Sequence, residues 1–479
     1  MSTAAFRVLA LGLAALAMAP LRHEFPPITD FPEHAATIAT LSDVWTNGPL
    51  SNWYELDFLH TQYWLMAVLG ALLAPLVGGP VAALKTLLVL SSVGLVAALM
   101  RLAKTFELDE RLALVAIPLL WSRPFTLGFI PFVMAAPLVV WALAEVGGVV
   151  APSRRTHALV AAISLAIFFL NLASVVWLGV AAASLVVTRS FEWRRLTGLV
   201  ALVVPGGAWL AFSNVTNVDS SRFAVSMDGR WWSPKHLLLE APSWLMDRWS
   251  GDVDVVLLGV LVLAVVSLAQ GRSFSRPGLA LFLSTAALTL VLPFERGWLW
   301  GLSTRFLPVT LMLAPFVWNR RARGVVVAAV AAVGLISSWN VEQHVSQAQD
   351  ELRGVALLKE LPVGKRVLQL TFDDGSAVVN DSIVSHASAY HRVWNHGANE
   401  PSFVDLPQSV VRYRDGKAPW TRPWPWEFKP NEYDNSREGT HYDFVLTRGQ
   451  GASFPPPVGT EGPAWALLRE SGAWRLYSR

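Results

Sequence analysis

The chain has 479 residues, of which 53% are hydrophobic and only 15% are charged. Soluble globular proteins usually carry about a quarter charged residues, so this composition excludes an ordinary soluble protein. The net charge of +3 forms no basic stripe, which argues against a nucleic-acid partner, and the absence of cysteine excludes a disulfide framework and a thiolate metal site.

The first apolar run begins after a single basic residue, Arg7, and extends from Val8 to Ala19. Its small-residue end resembles a signal-peptide cleavage site. However, Pro20 would stand just after the cut, so we expect an uncleaved first span.

Longer apolar stretches follow, and they approach the roughly 20 residues that a transmembrane helix needs. They are 81–100, 157–188, 253–269, 277–293 and 324–339. We therefore predict a mainly α fold, a polytopic transmembrane bundle of about 9–11 helices formed by residues 1–340.

Several of these segments contain predicted breaks. Pro124 and Pro131 divide the stretch 112–146, and Asn171 interrupts 157–188. The region 62–101 contains two predicted helices, and the first could cross the membrane, re-enter or lie at its surface.

The connecting segments fall into two sets that predict the orientation. The short basic set is 153–155, 189–195, 272–276 and 319–323, and the long mixed set is 22–60, 214–252, 294–302 and everything after 340. Because cytoplasmic loops carry an excess of Lys and Arg, the long set is predicted to be external. We expect a multi-pass protein of a bacterial inner (plasma) membrane with an extracytoplasmic C-terminal domain.

The external loop 22–60 contains the densest polar chemistry near the predicted membrane. Pro32 favours the first turn of a helix, which places Asp30 near the N-cap and Glu33 with His34 one turn on. One interpretation is structural, with Asp30 as a cap and Glu33 completing a capping box. The other is functional, with an acidic group acting as general base or holding a divalent ion.

The layout resembles the GT-C superfamily of membrane glycosyltransferases. The resemblance rests on Asp30-Phe31-Pro32-Glu33-His34 after the first span, on the Trp53–Trp64 segment, on the broken-helix run Phe125–Phe132 and on Arg305-Phe306-Leu307-Pro308. It covers most of the chain as architecture, and it points to an uncharacterised bacterial branch.

The resemblance implies transfer of a sugar from a polyprenyl-phosphate carrier to an extracytoplasmic acceptor, with membrane lipid as a partner. Asp30 and Glu33 would be catalytic, although better-known members often have two adjacent acidic residues in this loop. His34, Asp57, Arg305 and Arg296 would bind substrate, and a divalent metal ion stays an open cofactor alternative.

Other cations of the external loops could neutralise the departing phosphate, namely Arg222, Arg230, Lys235 and Arg248. Arg305 is the preferred candidate because it stands at the mouth of a span, where its other interpretation is snorkelling to the interface. A transporter and a non-catalytic membrane assembly protein are the alternative functions.

Residues 341–479 predict a small α/β domain. We expect a helix at 342–353, strands at 365–372 and 443–446, and a hairpin at 464–478 that turns at Ser471-Gly472. The segment Pro419–Pro430 is rich in Trp and Pro, and its rings could stack on a sugar or lie at the membrane interface.

The string Thr371-Phe372-Asp373-Asp374-Gly375 resembles the first metal-binding motif of polysaccharide deacetylases. The histidines that follow, His386, His391 and His396, recur every five residues, so a helix could not present them on one face. We therefore favour a turn that closes a strand, and deacetylase-like activity is a minor alternative.

Overall fold

The computed structural model describes most of the chain as a mainly helical protein. The described residues are 2–59, 61–148, 153–188, 192–212, 228–268, 273–297, 299–319, 322–406, 408–419, 429–449, 454–456 and 460–479. The Trp- and Pro-rich stretch 420–428 and the candidate Arg222 lie outside them.

The α-helices are α1 (Thr3–Ala17), α2 (Phe31–Trp45), α3 (Leu65–Val77), α4 (Pro80–Thr105), α5 (Arg123–Thr126), α6 (Ile130–Val146), α7 (Arg154–Leu170), α8 (Leu172–Thr188), α9 (Val203–Phe212), α10 (Pro234–Leu245), α11 (Val253–Leu268), α12 (Arg276–Val291), α13 (Leu307–Leu313), α14 (Gly324–Leu352), α15 (Ala389–Asn395) and α16 (Asn435–Glu438). The strands are β1 (Tyr54–Leu56), β2 (Gly229–Arg230), β3 (Glu295–Arg296), β4 (Arg366–Thr371), β5 (Ala398–Glu400), β6 (Val411–Tyr413), β7 (Phe444–Arg448), β8 (Ala466–Ser471) and β9 (Trp474–Ser478). Helices of the 3₁₀ type include Glu110–Leu119, Trp193–Leu202, Thr304–Phe306, Ala314–Val317, Arg353–Glu360 and Phe403–Asp405.

The chain divides into two compact units. The helical unit contains Met1–Leu21, Leu87–Phe212 and Ser226–Gln343, and the mixed unit contains Arg22–Thr86 and His344–Arg479. The predicted boundary at residue 340 lies close to this division, but the segment 22–60, expected as a loop of the helical domain, belongs to the mixed unit and contains α2 and β1.

The helical unit has the helix breaks that the sequence predicts. Helix α7 ends where Asn171 adopts an extended backbone, and the Asn171 side chain then accepts the backbone N–H of Ser174 in the first turn of α8. Helix α6 begins at Ile130-Pro131, where proline suits a first helical turn. Buried Trp177 of α8 donates its indole N–H to Thr285 of α12, which ties these two helices together.

The outer faces of many helices are apolar. Val8, Leu263, Val291 and Val325 are each at least 70% exposed, which is typical of side chains that face lipid. By length and composition, two of the described helical stretches could cross a membrane, Pro80–Thr105 and Gly324–Glu360. Shorter apolar helices accompany them, so the expected number of 9–11 helices in the bundle stays a prediction.

The mixed unit contains the predicted α/β fold. Its five-stranded sheet has the order β5-β4-β7-β9-β8, in which β5, β4 and β7 are parallel and β9 and β8 are antiparallel. Strand β4 is buried along nearly its whole length, as a central parallel strand should be. The predicted strands at β4 and β7 and the terminal hairpin are confirmed, with Gly472 in the left-handed region at the turn.

Two local features of the mixed unit differ from expectation. The predicted helix 342–353 is the end of the 29-residue α14, because its change from apolar to polar residues does not interrupt the helix. Strand β1 pairs with β6, so that Tyr54 lies opposite Tyr413. A stretch near the N-terminus and a stretch near residue 412 therefore belong to one local structure.

Candidate active site

Asp30 occupies the N-cap position of α2 without acting as a cap. Its side chain makes no capping hydrogen bond, so the capping interpretation is wrong for this residue. Its Oδ1 lies 3.5 Å from Nε2 of His386, and 21% of the Asp30 side chain is exposed. The carboxylate is therefore accessible at the start of a helix and touches an imidazole from the far end of the chain.

Glu33 is fully buried and accepts hydrogen bonds from residues of the C-terminal region. Nη2 of Arg392 lies 2.6 Å from Oε2, and Nδ2 of Asn399 lies 2.9 Å from Oε1. The backbone N–H of Phe403 and the hydroxyl of Ser402 also donate to Oε2, at 3.1 and 3.4 Å. These long-range bonds replace the local capping box that the sequence predicts for Glu33.

Arg392 is the cation at the centre of this network. Its side chain is fully buried, and its guanidinium lies over the ring of Tyr54 at 5.3 Å. Burial alone would lower the pKa of the guanidinium, but Glu33, Tyr54 and Tyr413 outweigh burial and raise it. The Arg392 guanidinium therefore stays charged, and its bond to Glu33 fixes α2 against α15.

The ring of Phe403 lies between two imidazoles. His34 of α2 contacts it edge-to-face at 5.7 Å between ring centroids, and His386 contacts it at 4.9 Å. Asp57 pairs with Arg412 at 2.6 Å. Thus the predicted site residues Asp30, Glu33 and His34 lie together on α2, while Asp57 belongs to a separate ion pair beside β1 and β6.

Arg305 is the main cationic candidate of the helical unit, and it is buried rather than extended towards the surface. Its Nε and Nη2 donate to the carbonyl oxygens of Gly301 and Trp300, at 3.1 and 2.7 Å. The guanidinium lies 4.1 Å from the ring centroid of Phe129 and 5.8 Å from that of Phe132. These contacts fix the orientation of the guanidinium.

Arg305 also lines a largely apolar cavity of the helical unit, whose empty space together with its opening to solvent is about 450 Å³. Hydroxyl groups and apolar side chains form the rest of the wall. The lining residues are Ser91, Ser92, Leu95, Leu119, Leu120, Ser122, Pro124, Phe125, Phe132, Val133, Ala136, Pro308, Val309 and Met312. A cation beside apolar side chains and hydroxyl groups suits an amphipathic ligand with an anionic group.

Arg123 and Arg248 lie among the aromatic side chains of the same unit. The Arg123 guanidinium lies 4.9 Å from the ring of Trp244 and 5.6 Å from that of Trp300, whose carbonyl oxygen also accepts from Arg305. Arg248 is fully buried and donates to Thr126. Arg248 is among the cations that the sequence suggests for the departing phosphate, whereas Arg123 is not.

Arg296 lies apart from these buried arginines. It is exposed on β3, and its strand partner in β2 is Gly229. The neighbouring pair Arg230–Glu295 spans the same two strands at 3.1 Å. The structure thus places Arg296 on a short exposed ribbon, where a phosphate contact would be open to solvent.

The deacetylase-like string forms a turn. The carboxylate of Asp373 accepts the backbone N–H of Gly375 directly after β4, as the turn interpretation predicts. The three histidines diverge: His386 meets Asp30, His391 bonds Lys365 and Asn395, and His396 meets Asp43. Within the described part of the chain, no group of three His, Cys, Asp or Glu side chains could hold a metal ion.

Comparison with known proteins identifies the fold. ArnT from Cupriavidus metallidurans bound to undecaprenyl phosphate matches with a TM-score of 0.62 at 12% sequence identity, and the match covers 100% of this chain and 98% of ArnT. The chain has the GT-C fold. The apo state of ArnT matches the same GT-C architecture with a TM-score of 0.57, and the mycobacterial arabinofuranosyltransferase AftD matches with 0.46 over 40% of its length. No protein-family model and no curated protein matches the sequence.

The GT-C fold and the apolar helix surfaces together indicate an integral membrane protein. Within this fold, Asp30, Glu33 and Arg305 stay predicted site residues, and the sequence did not predict His386 as a neighbour of Asp30 or Arg392 as a partner of Glu33. One signal was available for Arg392. It is a charged residue between aromatic and apolar neighbours in the segment Tyr390–Trp394. An arginine that is buried among such neighbours needs a partner for its charge.

Proposed function

We propose that the chain is a membrane glycosyltransferase that moves a sugar from a polyprenyl-phosphate-linked donor to an extracytoplasmic acceptor. The observation that carries the proposal is the whole-length likeness to ArnT bound to undecaprenyl phosphate. The apolar cavity beside Arg305 supports it, because a polyprenyl phosphate combines a long apolar chain with one anionic group.

In the proposed reaction, Asp30 is the general base. Its carboxylate takes the proton of the acceptor hydroxyl while the hydroxyl oxygen attacks the anomeric carbon of the sugar. The bond between that carbon and the phosphate oxygen breaks, and the lipid phosphate leaves with the electron pair. Asp30 suits this role because its side chain is accessible and serves no capping bond.

Two further roles follow from the contacts in each unit. Arg305 would bind the phosphate and stabilise the charge that develops on it, since a guanidinium and a phosphate make strong charge-assisted hydrogen bonds. Glu33 is buried in its bonds to Arg392 and Asn399, so we assign it to positioning α2 rather than to proton transfer.

The test is sugar transfer by purified full-length protein in lipid nanodiscs, with a panel of undecaprenyl-phosphate sugars and an acceptor screen. Asp30→Asn should lower turnover by about 10²–10⁴-fold while the protein stays folded. Asp43→Asn is the matched control, because Asp43 lies on the same helix and also contacts a histidine. Near-normal transfer by Asp30→Asn would defeat the assignment of the base.

The proposed topology places the mixed unit outside and the short basic loops inside. Because the chain has no cysteine, single cysteines can report on each side. Asp374→Cys and Arg154→Cys both replace exposed residues. In intact cells, a membrane-impermeant maleimide should label the first and spare the second. Labelling of Arg154→Cys alone would show that the orientation is the reverse of the proposed one.

A further inference from the structure

The segment that precedes α15 contacts the start of α2. The hydroxyl of Thr29 donates to the carbonyl oxygen of Ser382 at 2.7 Å, and four residues later His386 reaches Asp30. Two neighbouring residues of α2's start are thus contacted by one short segment that is more than 350 positions away in the sequence.

His386 is held in a specific orientation. Its φ is +59°, a region that non-glycine residues rarely adopt and that Asn, Asp and His tolerate best. Its ring packs edge-to-face on Phe403, and the backbone N–H of Phe403 donates to Glu33. Backbone and ring packing therefore both direct the imidazole towards Asp30.

The difference in exposure assigns the roles within the pair. The His386 side chain is 7% exposed and the Asp30 side chain is 21% exposed. A substrate hydroxyl can therefore approach the carboxylate, while the imidazole lies behind it.

The neighbouring charged groups have other contacts. Glu33 is bonded to Arg392. His34, which lies on the same helix as Glu33, faces the ring of Phe403. Oδ1 of Asp30 lies 3.5 Å from Nε2 of His386. An imidazole is the side chain whose charge ordinarily changes between pH 5 and 8, so the charge beside Asp30 would change with the protonation of His386.

We propose that His386 is the positioning residue of Asp30, orienting the carboxylate through Nε2 and making its basicity depend on the charge of the imidazole. The inference rests on the proposed function and deepens it, since it makes residues 382–403 part of the catalytic centre. Transfer should accordingly weaken on the acidic side as His386 gains a proton.

Two amide variants distinguish the loss of the contact between His386 and Asp30 from a change in the backbone conformation of residue 386. His386→Asn tolerates the positive φ, but its shorter side chain does not reach Asp30. His386→Gln places an amide N–H near the position of Nε2 and does not titrate. The matched control is His396→Asn, which removes a 3.2 Å contact between a histidine and Asp43 at the other end of α2.

The experiment measures kcat and KM against pH in nanodiscs, with the undecaprenyl-phosphate sugar that the unmodified protein uses. His386→Asn should lower kcat by about 10–100-fold with an unchanged donor KM, because a misplaced catalytic group costs about that much. His386→Gln should recover most of kcat, and the acidic limb of its plot of kcat against pH should show one ionisation fewer. His396→Asn should behave like the unmodified protein.

The double variant decides whether His386 acts through Asp30. Added to Asp30→Asn, His386→Asn should cause no further loss. Losses that multiply, or an unchanged kcat and pH profile in His386→Asn, would overturn the inference while leaving the base assignment intact. No transfer by the unmodified protein, or normal transfer by Asp30→Asn, would instead defeat the proposed function and this inference with it.

Discussion

The two units differ in the groups that surround their buried charged side chains. In the mixed unit, the buried Glu33 of α2 is bonded to Arg392, and Asp30 at the start of the same helix lies beside His386. In the helical unit, the contacts of Arg305 include carbonyl oxygens and aromatic rings, which orient the guanidinium. The first arrangement fixes geometry, and under the proposed function the second would bind the phosphate of the donor.

This difference matches the two needs of the proposed reaction. A general base must be held within a fraction of an ångström of its productive position, and a neutralised, hydrogen-bonded network does that. A phosphate site must offer net positive charge in a place of low dielectric, where its attraction to an anion is strong.

The largest expected effect comes from breaking the buried pair of the mixed unit. Arg392→Met leaves the Glu33 carboxylate buried without its cation and should destabilise the fold by about 3–5 kcal/mol. Thermal unfolding of the full-length protein in nanodiscs measures this.

The double variant Glu33→Leu with Arg392→Met should lose much less, because it leaves no buried charge behind. Arg353→Met is the control, since it breaks an exposed pair with Asp350 and should change stability very little. Equal losses in the single and double variants would contradict a role for the ion pair.

His391 is a buried titratable group of the mixed unit that is held neutral, in contrast to the charged Arg392 of the Glu33–Arg392 pair. Burial lowers its pKa to about 4, although a hydrogen bond to Lys365 and the charge of Asp443 oppose that shift. Its Nε2 lies 3.0 Å from the carbonyl oxygen of Lys365, and Nδ1 lies 3.1 Å from the amide nitrogen of Asn395. Both bonds are satisfied when Nε2 carries the proton and Nδ1 accepts.

The unfolded chain binds a proton at His391 near the ordinary pKa of 6.5, and the folded chain does so only near 4. Between these values the unfolded state holds more protons, so stability should fall by about 3 kcal/mol as pH drops from 6.5 to 4. Above 6.5 the contribution is complete. Unfolding midpoints across this window should vary less in His391→Gln, and an identical pH dependence would refute the assignment.

The charge of Arg305 is tested by ligand binding rather than by stability. Arg305→Gln should weaken binding of undecaprenyl phosphate by about 10–100-fold, the usual value of a hydrogen bond to a charged group. Native mass spectrometry with undecaprenyl phosphate provides the measurement. Arg101→Gln is the control, because Arg101 pairs with Glu145 in the same unit and is largely exposed. Unchanged affinity in Arg305→Gln would remove Arg305 from the phosphate site.

The smallest expected effect compares two helix starts. Ser153 caps α7 by accepting the N–H of Thr156 at 3.2 Å, so Ser153→Ala should cost about 1 kcal/mol. Asp30 makes no such bond, so Asp30→Asn should change the unfolding midpoint less than Ser153→Ala does. The reverse order would restore the capping interpretation of Asp30.

Local patterns predicted local structure well. Asn171 ends one helix and starts the next, and the largely apolar run 366–371 forms a buried strand inside the sheet. Each of these outcomes depends on neighbours within a few residues, which a sequence pattern records directly.

The site was predicted only in part because its partners are distant in sequence. The motif around Pro32 located α2, but nothing local to Asp30 or Glu33 points to His386 or Arg392. The capping interpretation failed for the same reason, since tertiary partners replaced the local bonds. The helix expected at 342–353 is present, but it is the end of α14 and not a separate helix, because the change from apolar to polar residues does not interrupt the backbone.

The bond between Glu33 and Arg392 joins residues 359 positions apart. At about 5–20 residues per second, a ribosome needs roughly 20–70 s to advance from one partner to the other. Throughout that interval the nascent chain contains Asp30 and Glu33 but lacks the residues that hold them. The two carboxylates can acquire these partners only after residues 386 and 392 have been made, so under the proposed function a chain truncated before residue 386 would lack transfer activity.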